Sequence, residues 1–269
     1  MSFGSPGVLV ETTVDGVQTL QPRENISRVL EYNPIQFSSY VQDRMEWGDF
    51  VIRAGVRFEY FDANTTVPSD LQNPANAISG APKSELISTT VKTALAPRLG
   101  FSFPLTESSS VYFSYGHFYQ MPGLGQLYSN ADYTILENLQ AGGISYGVMG
   151  NPNLKPEKTI QYEFGYKQAI SNFFGAELSF FYKDIRDLLG VEFISTYAAA
   201  DYARFTNVDF GSVSGFTVSL NHRDLSPLSL TLDYTMQFAN GNSSDPQETA
   251  NRAARSEEHT SELQSRQVI

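Results

Sequence analysis

Between Phe37 and Tyr60 the chain alternates apolar and polar residues with period two. Phe37, Val41, Met45 and Trp47 share one parity, while Tyr40, Gln42, Arg44 and Glu46 take the other. After Gly48-Asp49, Phe50, Ile52, Ala54, Val56, Phe58 and Tyr60 alternate with Val51, Arg53, Gly55, Arg57 and Glu59. This pattern predicts two strands, each with one apolar face. Gly48-Asp49 is a two-residue connection with Gly first, as a type II′ turn prefers, and it sets Trp47 opposite Phe50 and Met45 opposite Ile52. The two apolar faces then coincide, which an unrelated register would not give. Asp43 interrupts the apolar face, through a bulge or through a position near a membrane interface.

The pattern recurs along the chain. Val91 to Phe103 and Val111 to Gln120 flank Pro104 to Ser110. Ile160, Tyr162, Phe164 and Tyr166 form another alternating set, as do Ala176, Leu178, Phe180 and Tyr182. Phe216, Val218 and Leu220 lead into Leu228, Leu230, Leu232, Tyr234, Met236 and Phe238, for about eight strands in all. Connections alternate in length. Gly48-Asp49, Pro104 to Ser110, Ala169 to Phe174 and His222 to Pro227 are short, whereas Phe61 to Thr90, Met121 to Thr159 and Ile185 to Ala203 are long and polar or Gly-rich. Outer-membrane barrels have short periplasmic turns and long extracellular loops, so the order also assigns sides: Gly48-Asp49 periplasmic, Met121 to Thr159 outside. A soluble sandwich or soluble barrel with one wet face gives the same alternation, but a sandwich has no reason to segregate loop length. A polar face of Arg53, Arg57, Glu59, Glu163, Lys167 and Glu177 is compatible with either, as the lumen of a barrel or the wet side of a soluble sheet. No window reaches the roughly 18 apolar residues of a membrane-spanning helix.

Composition supports the membrane over the sandwich. Charged residues are 17% of the 269 residues, below the roughly 25% usual in soluble domains, while Tyr and Phe number 15 and 19. Amphipathic rings suit the edges of a lipid-facing surface. The net charge of −11 and the lack of a basic patch exclude a nucleic-acid partner. Cysteine is absent, so no disulfide framework is available. Met1 to Gly7 has neither a basic nor an apolar leader region, and the chain reads as a piece of a longer secreted one.

Several segments resemble the late barrel region of TonB-dependent receptors. Tyr40-Val41-Gln42-Asp43 followed by Ala54 to Phe58 resembles a hairpin of that family, and Tyr115 to Pro122, YGHFYQMP, resembles one of its strand ends. Gly150 to Thr159, GNPNLKPEKT, running into Tyr162-Glu163-Phe164-Gly165-Tyr166, resembles its most specific signature. Phe181 to Leu188 resembles the strand end that follows, and Tyr234 to Pro246 is similar to Bacteroidota-like versions. The resemblance covers roughly Ile35 to Pro246. It implies an all-β fold: an antiparallel transmembrane β-barrel segment of about eight strands, forming an open curved sheet in isolation, in the cell outer membrane. A whole transporter of this type has about 22 strands around a plugged lumen. The implied partners are the lipid bilayer, a plug domain and further barrel strands, and the TonB complex acting through the plug. The domain division that follows is 1–34 as a loop or strand remnant, 35–254 as partial barrel, and 255–269 as foreign. Arg255 to Ser265, RSEEHTSELQS, resembles the translation of a common sequencing adapter codon for codon.

Physical chemistry gives the signature a structural role beside that resemblance. Asn151-Pro152 and Lys155-Pro156 fix backbone torsions just before a strand, where turn chemistry accounts for Pro and Asn without a substrate contact. No catalytic, cofactor-binding or metal site is expected, and ligand-binding residues are not identifiable. His117, His222 and His259 fall on a strand end, a turn and the suspect tail, which disfavours a zinc site. Gly211-Ser212-Val213-Ser214-Gly215 has Val where a nucleophile elbow needs Ser. Asp184 and Asp187 flank Arg186 as a solvated charge cluster. Two functions remain: energy-coupled uptake of a large ligand such as a siderophore, glycan or vitamin, with no enzymatic activity and no cofactor, or a small eight-stranded barrel serving as anchor or adhesin.

Overall fold

A computed structural model describes residues 9–14, 17–22, 31–137, 143–223 and 229–241. The chain divides into two units, Met1–Tyr32 and Asn33–Ile269. In the first, β1 (Leu9–Val14) and β2 (Val17–Pro22) pair as an antiparallel hairpin, where the sequence suggested a loop or strand remnant.

The second unit runs β3 (Ile35–Trp47), β4 (Phe50–Asp62), a short hairpin of β5 (Thr66–Pro68) and β6 (Leu86–Ser88), then β7 (Lys92–Thr106) and β8 (Ser109–Gln120). There follow α1 (Leu124–Tyr128), β9 (Ile144–Met149), β10 (Glu157–Ala169), β11 (Phe174–Ser195), β12 (Asp201–Arg223) and β13 (Ser229–Gly241). Eight long strands form one sheet in chain order, β3-β4-β7-β8-β10-β11-β12-β13, each antiparallel to the next. Its two edges, β3 and β13, do not meet, so the sheet is open. No described helix is long and apolar enough to cross a membrane.

The β3–β4 hairpin has the register that its turn predicts. Trp47 faces Phe50 and Met45 faces Ile52, and Gly48 takes the positive φ (61°) that a type II′ turn needs at its first central residue. Asp43 pairs with Ala54 without a register shift, so no bulge accounts for its place on the apolar face. Its Oδ1 accepts the Arg44 N–H at 2.8 Å.

Register carries side chains across the whole sheet. Met45, Ile52, Phe101, Phe113, Phe164, Phe180, Phe216 and Met236 form one cross-strand row, with one residue from each strand. In the neighbouring row on the same face stand Leu99, Tyr115, Tyr162, Tyr182 and Phe238, together with Asp43. Phe164, Phe180 and Tyr182 are 49%, 50% and 46% exposed, so this face is covered by no second sheet, and the sandwich is excluded. The opposite face carries Arg44, Arg53, Arg98, Gln161, Glu163, Lys167, Glu177, Asp233 and Gln237. Here Tyr112 lies across Gly165, where an added Cβ would meet its ring at 2.2 Å, and its hydroxyl reaches Glu163 (3.0 Å) and Glu177 (2.7 Å). A glycine opposite an aromatic lets the ring lie flat on the strand.

The stretch Ile185 to Ala203 differs from the expected loop. β11 and β12 continue through it as a ribbon of 22 and 23 residues, turning only at residues 196–200. A span needs about 9–11 residues per strand, so the outer half of this ribbon stands beyond the bilayer. Its alternation is masked because the register shifts between Arg186 and Leu189, with Asp187 in the left-handed region (φ 56°). A bulge moves the apolar set to the other parity, and strict period-two reading fails across it.

In a full-length protein unfolded reversibly from lipid bilayers, Phe180→Arg should cost ~2 to 4 kcal/mol, as a cation facing the hydrocarbon midplane does. Gln237→Arg, on the polar face, should change stability by less than about 1 kcal/mol. Equal costs would contradict the assignment of faces.

Candidate functional site

On the side of the long connections, three segments gather into one assembly: residues 63–91, residues 121–137 with 143–156, and the outer half of the β11–β12 ribbon. Its centre is apolar. Tyr133, Leu136, Met149 and Tyr202 are buried together, with Leu71, Ala75 and Ile194 packed around them. Tyr133 and Tyr202 meet edge to face, with ring centroids 6.0 Å apart. Aromatic and aliphatic burial of this size offsets the entropy of ordering long loops. β9 adds to the assembly by pairing parallel with Asp201–Arg204 of β12.

The signature segment 150–157 ties the assembly to the strands. Gly150 fits because a Cβ there would lie 2.8 Å from Leu127 O and from Ser129 N and O. Pro152 is fully buried, and Leu154 is 0% exposed. Asn151 acts as a three-way link: its Nδ2 donates to Phe205 O (2.9 Å), while its Oδ1 accepts from Arg204 Nη2 (2.8 Å) and Asn153 N (3.0 Å). Asn153 Oδ1 accepts from Thr90 N (2.8 Å) and Lys92 Nζ (3.1 Å), fixing the start of β7. Asn207 Oδ1 accepts from Lys155 N (2.8 Å), and its Nδ2 donates to Lys155 O (3.1 Å) and Asp187 O (2.7 Å), which also holds the bulge. The Asn and Pro residues of the signature therefore do positional work, as turn chemistry predicts.

Arg204 is the charged residue at the heart of this hub. Its side chain is 10% exposed and pairs with Glu192 at 3.4 Å. Its Nε is buried without an acceptor, and the Tyr133 hydroxyl lies close enough to the guanidinium to feel its charge. Tyr202 donates its hydroxyl to Leu71 O (2.7 Å), Tyr128 donates to Ala63 O (2.9 Å), and Tyr197 donates to Asp70 (3.1 Å). Burial pushes the phenols of Tyr133 and Tyr202 above the ordinary tyrosine range, because the anion would lose its solvation. None of these residues except Asn151 and its signature neighbours was singled out by sequence. Arg204 is legible only once register sets it beside Asn151.

The other candidates separate. His117 stands in β8, 2.6 Å from the Tyr115 hydroxyl, and His222 lies against Phe174 in β12, while His259 lies outside the described residues. Among the described residues no three His, Asp or Glu side chains converge as metal ligands do. Arg186 pairs with Asp184 at 2.8 Å inside β11, just before the bulge, rather than at a strand end. Gly211 to Gly215 runs straight inside β12 rather than turning.

An open antiparallel sheet with one exposed apolar face, short turns on one side and packed loops on the other defines a β-barrel of the outer-membrane class. The chain matches the family model "TonB dependent receptor-like, beta-barrel" over residues 12–265 and belongs to that family. Its place is accordingly the outer membrane of a Gram-negative cell. A search of curated proteins finds no match. Among solved structures the chain is similar to the hemophore receptor HasR of Serratia marcescens, at TM-score 0.53 and 15% identity, covering 77% of this chain and 34% of that one. It is similar too to the FrpB iron transporter of Neisseria meningitidis (F5-1 variant, apoprotein), at TM-score 0.51 and 17% identity, covering 80% of this chain and 27% of that one. The chain thus spans about a third or less of these proteins, and the likeness is one of fold. The family match runs past Arg255 into the segment resembling an adapter, which lies outside the described residues.

Asn151→Ala removes three hydrogen bonds and leaves Arg204 short of an acceptor. It should loosen the hub by about 1–3 kcal/mol, with faster amide exchange at 150–156 and 204–207 and unchanged exchange in β10. Uniform acceleration across the sheet would contradict a local role. The raised phenols predict a second outcome. Exposed tyrosines ionise near pH 10, but Tyr133 and Tyr202 keep their protons higher when folded, so their contribution is complete below about pH 10 and is lost above it. Protease cleavage within the long loops should rise on that limb, together with tyrosinate absorbance. Loop cleavage independent of pH up to 11 would contradict it.

Proposed function

We propose that this chain is part of the barrel of a receptor that takes up a large ligand across the outer membrane by an energy-coupled route. The observation that carries the reading is the two-faced sheet with all its packed loops on one side. A ligand meets the loop assembly first, and the polar face becomes a lumen wall along which it passes. Siderophores, heme, glycans and vitamins are the size of ligand that such loops and lumen suit. The structural neighbours, an iron transporter and a hemophore receptor, support that class without choosing within it.

In this reading the free edges of β3 and β13 continue into further strands of a barrel of about 22. A plug domain fills the lumen and couples to the TonB complex, and lipid covers the rows of Phe and Tyr. The barrel segment is 35–254, the source is Bacteroidota-like, and residues 255–269 are foreign to the protein. The protein is a transport receptor rather than an enzyme. The small anchor barrel fits less well, since its first and last strands would pair and remove both edges.

The test uses the full-length gene in its host. The protein should fractionate with the outer membrane and show heat-modifiable mobility on gels. Uptake of one member of a panel of labelled iron chelates, heme, cobalamin and oligosaccharides should depend on this gene and fall to background when TonB is deleted. Gene-dependent uptake that persists without TonB would contradict energy coupling.

A further inference from the structure

On the polar face of β4 and β7, each of two arginines stands opposite a glycine. Arg53 pairs with Gly100, and Arg98 pairs with Gly55 on one side and Gly116 on the other. Arg53, Arg98, Gly55, Gly100 and Gly116 line one shallow depression, with Gln42, Ser114 and Gln161 among its other walls. Its floor is bare backbone at Gly100, while the Phe118 ring lies over Gly116 and Gln42 crowds Gly55, and its rim holds two guanidiniums, two carboxamides and a hydroxyl. A Cβ at Gly100 would meet nothing nearer than Arg53 Cβ at 3.7 Å, so the floor is open there. Arg98 is set in place by the Phe118 ring, whose centroid lies 4.8 Å from its Cζ.

Charge on this wall is unbalanced. Arg44 is paired with Glu46 at 2.6 Å, and Arg57 is paired with Glu59, but neither Arg53 nor Arg98 has an ion-pair partner among the described residues. Arg44 and Arg53 stand directly opposite each other, and Glu46 balances only one of these two charges. Two guanidinium forks beside a flat floor match the planar, bidentate geometry of a carboxylate or phosphate. An aromatic-backed Arg98 loses less side-chain freedom when it engages such a group.

We propose that Arg53 and Arg98 form an anion-receiving site on the lumen wall that takes a carboxylate or phosphate oxyanion. The inference rests on the receptor reading, which makes this face the lumen. The same chemistry has two sources: an anionic group on the ligand in transit, or an acidic side chain of protein occupying the lumen.

The full-length receptor, purified in detergent, is compared as wild type, Arg53→Gln/Arg98→Gln, Gly100→Glu and Lys183→Gln, the last removing a charge elsewhere on the same face. Outer-membrane fractionation and heat-modifiable mobility come first; their absence in the wild type counts against the barrel reading and leaves the arginine pair out of account. Citrate and inorganic phosphate are then titrated calorimetrically. If the oxyanion belongs to a small ligand, the wild type and Lys183→Gln bind one of these probes. The arginine double variant and Gly100→Glu, which places a carboxylate on the floor, then bind it about tenfold more weakly or worse. If the oxyanion belongs to protein in the lumen, the wild type binds neither probe. The double variant then lowers the thermal midpoint and flattens its dependence on salt, while Lys183→Gln does neither. Should the double variant fail to accumulate, Arg53→Lys/Arg98→Lys serves in its place, keeping charge but losing the fork, and should show the same changes at smaller size. Identical behaviour of the arginine variants, Lys183→Gln and wild type in both measurements would overturn the proposal.

Discussion

Inside a bilayer no water is available to the peptide group, so every backbone N–H and C=O must find a partner within the protein. That constraint organises this chain. It requires long, continuously paired strands, and continuous pairing with period two means that one choice of register decides the surroundings of every side chain in the sheet. The row from Met45 to Met236 exists because seven successive ladders keep step. The aromatic residues then serve two purposes: they cover the ladder on the lipid side, and on the polar side Tyr112 and Phe181 lie over glycines of the neighbouring strands.

Outside the bilayer the constraint changes, and so does the chemistry. Water satisfies loop backbones, so the long connections must be held by specific contacts instead of by the medium. The hub does this with asparagine. Asn151, Asn153 and Asn207 each offer a donor and an acceptor on a short, stiff side chain and tie β12 and the approach to β7 to the signature segment through backbone groups. Burial of Pro152 and Leu154 excludes water from those bonds. The result is a rigid platform at the strand ends, from which the exposed parts of the loops project.

Much of the sheet was legible in sequence because its determinants are local. Gly48-Asp49 specifies a turn, the turn specifies register, and the alternation on either side agrees with it. Pro104 to Ser110 was also placed, although pairing closes the turn to Glu107-Ser108. The ribbon beyond Ile185 was not, because a bulge at Asp187 breaks the parity that the reading depends on. The signature segment could be given a structural role from its prolines alone. Its partners could not be named, since Arg204 and Asn207 lie more than fifty residues away and meet it only through the β11–β12 register. The arginine–glycine pairs escaped for the same reason: Arg53 and Arg98 look like ordinary polar-face residues until the ladder sets each against a glycine.

This chain contains no cysteine, so single cysteines report position once any thiol elsewhere in the full-length protein has been replaced by serine. The most direct measurement is a scan of β11 in the full-length protein in lipid vesicles, with cysteine placed singly at Ser179, Phe180, Phe181 and Tyr182. Each is spin-labelled and tested against a lipid-soluble and a water-soluble relaxation agent. The account predicts strict alternation, with positions 180 and 182 relaxed by the lipid-soluble agent and shielded from the aqueous one, and positions 179 and 181 doing the reverse or shielded from both. Equal response to the lipid-soluble agent at neighbouring positions would show that the two faces are not lipid and lumen, and would contradict the account.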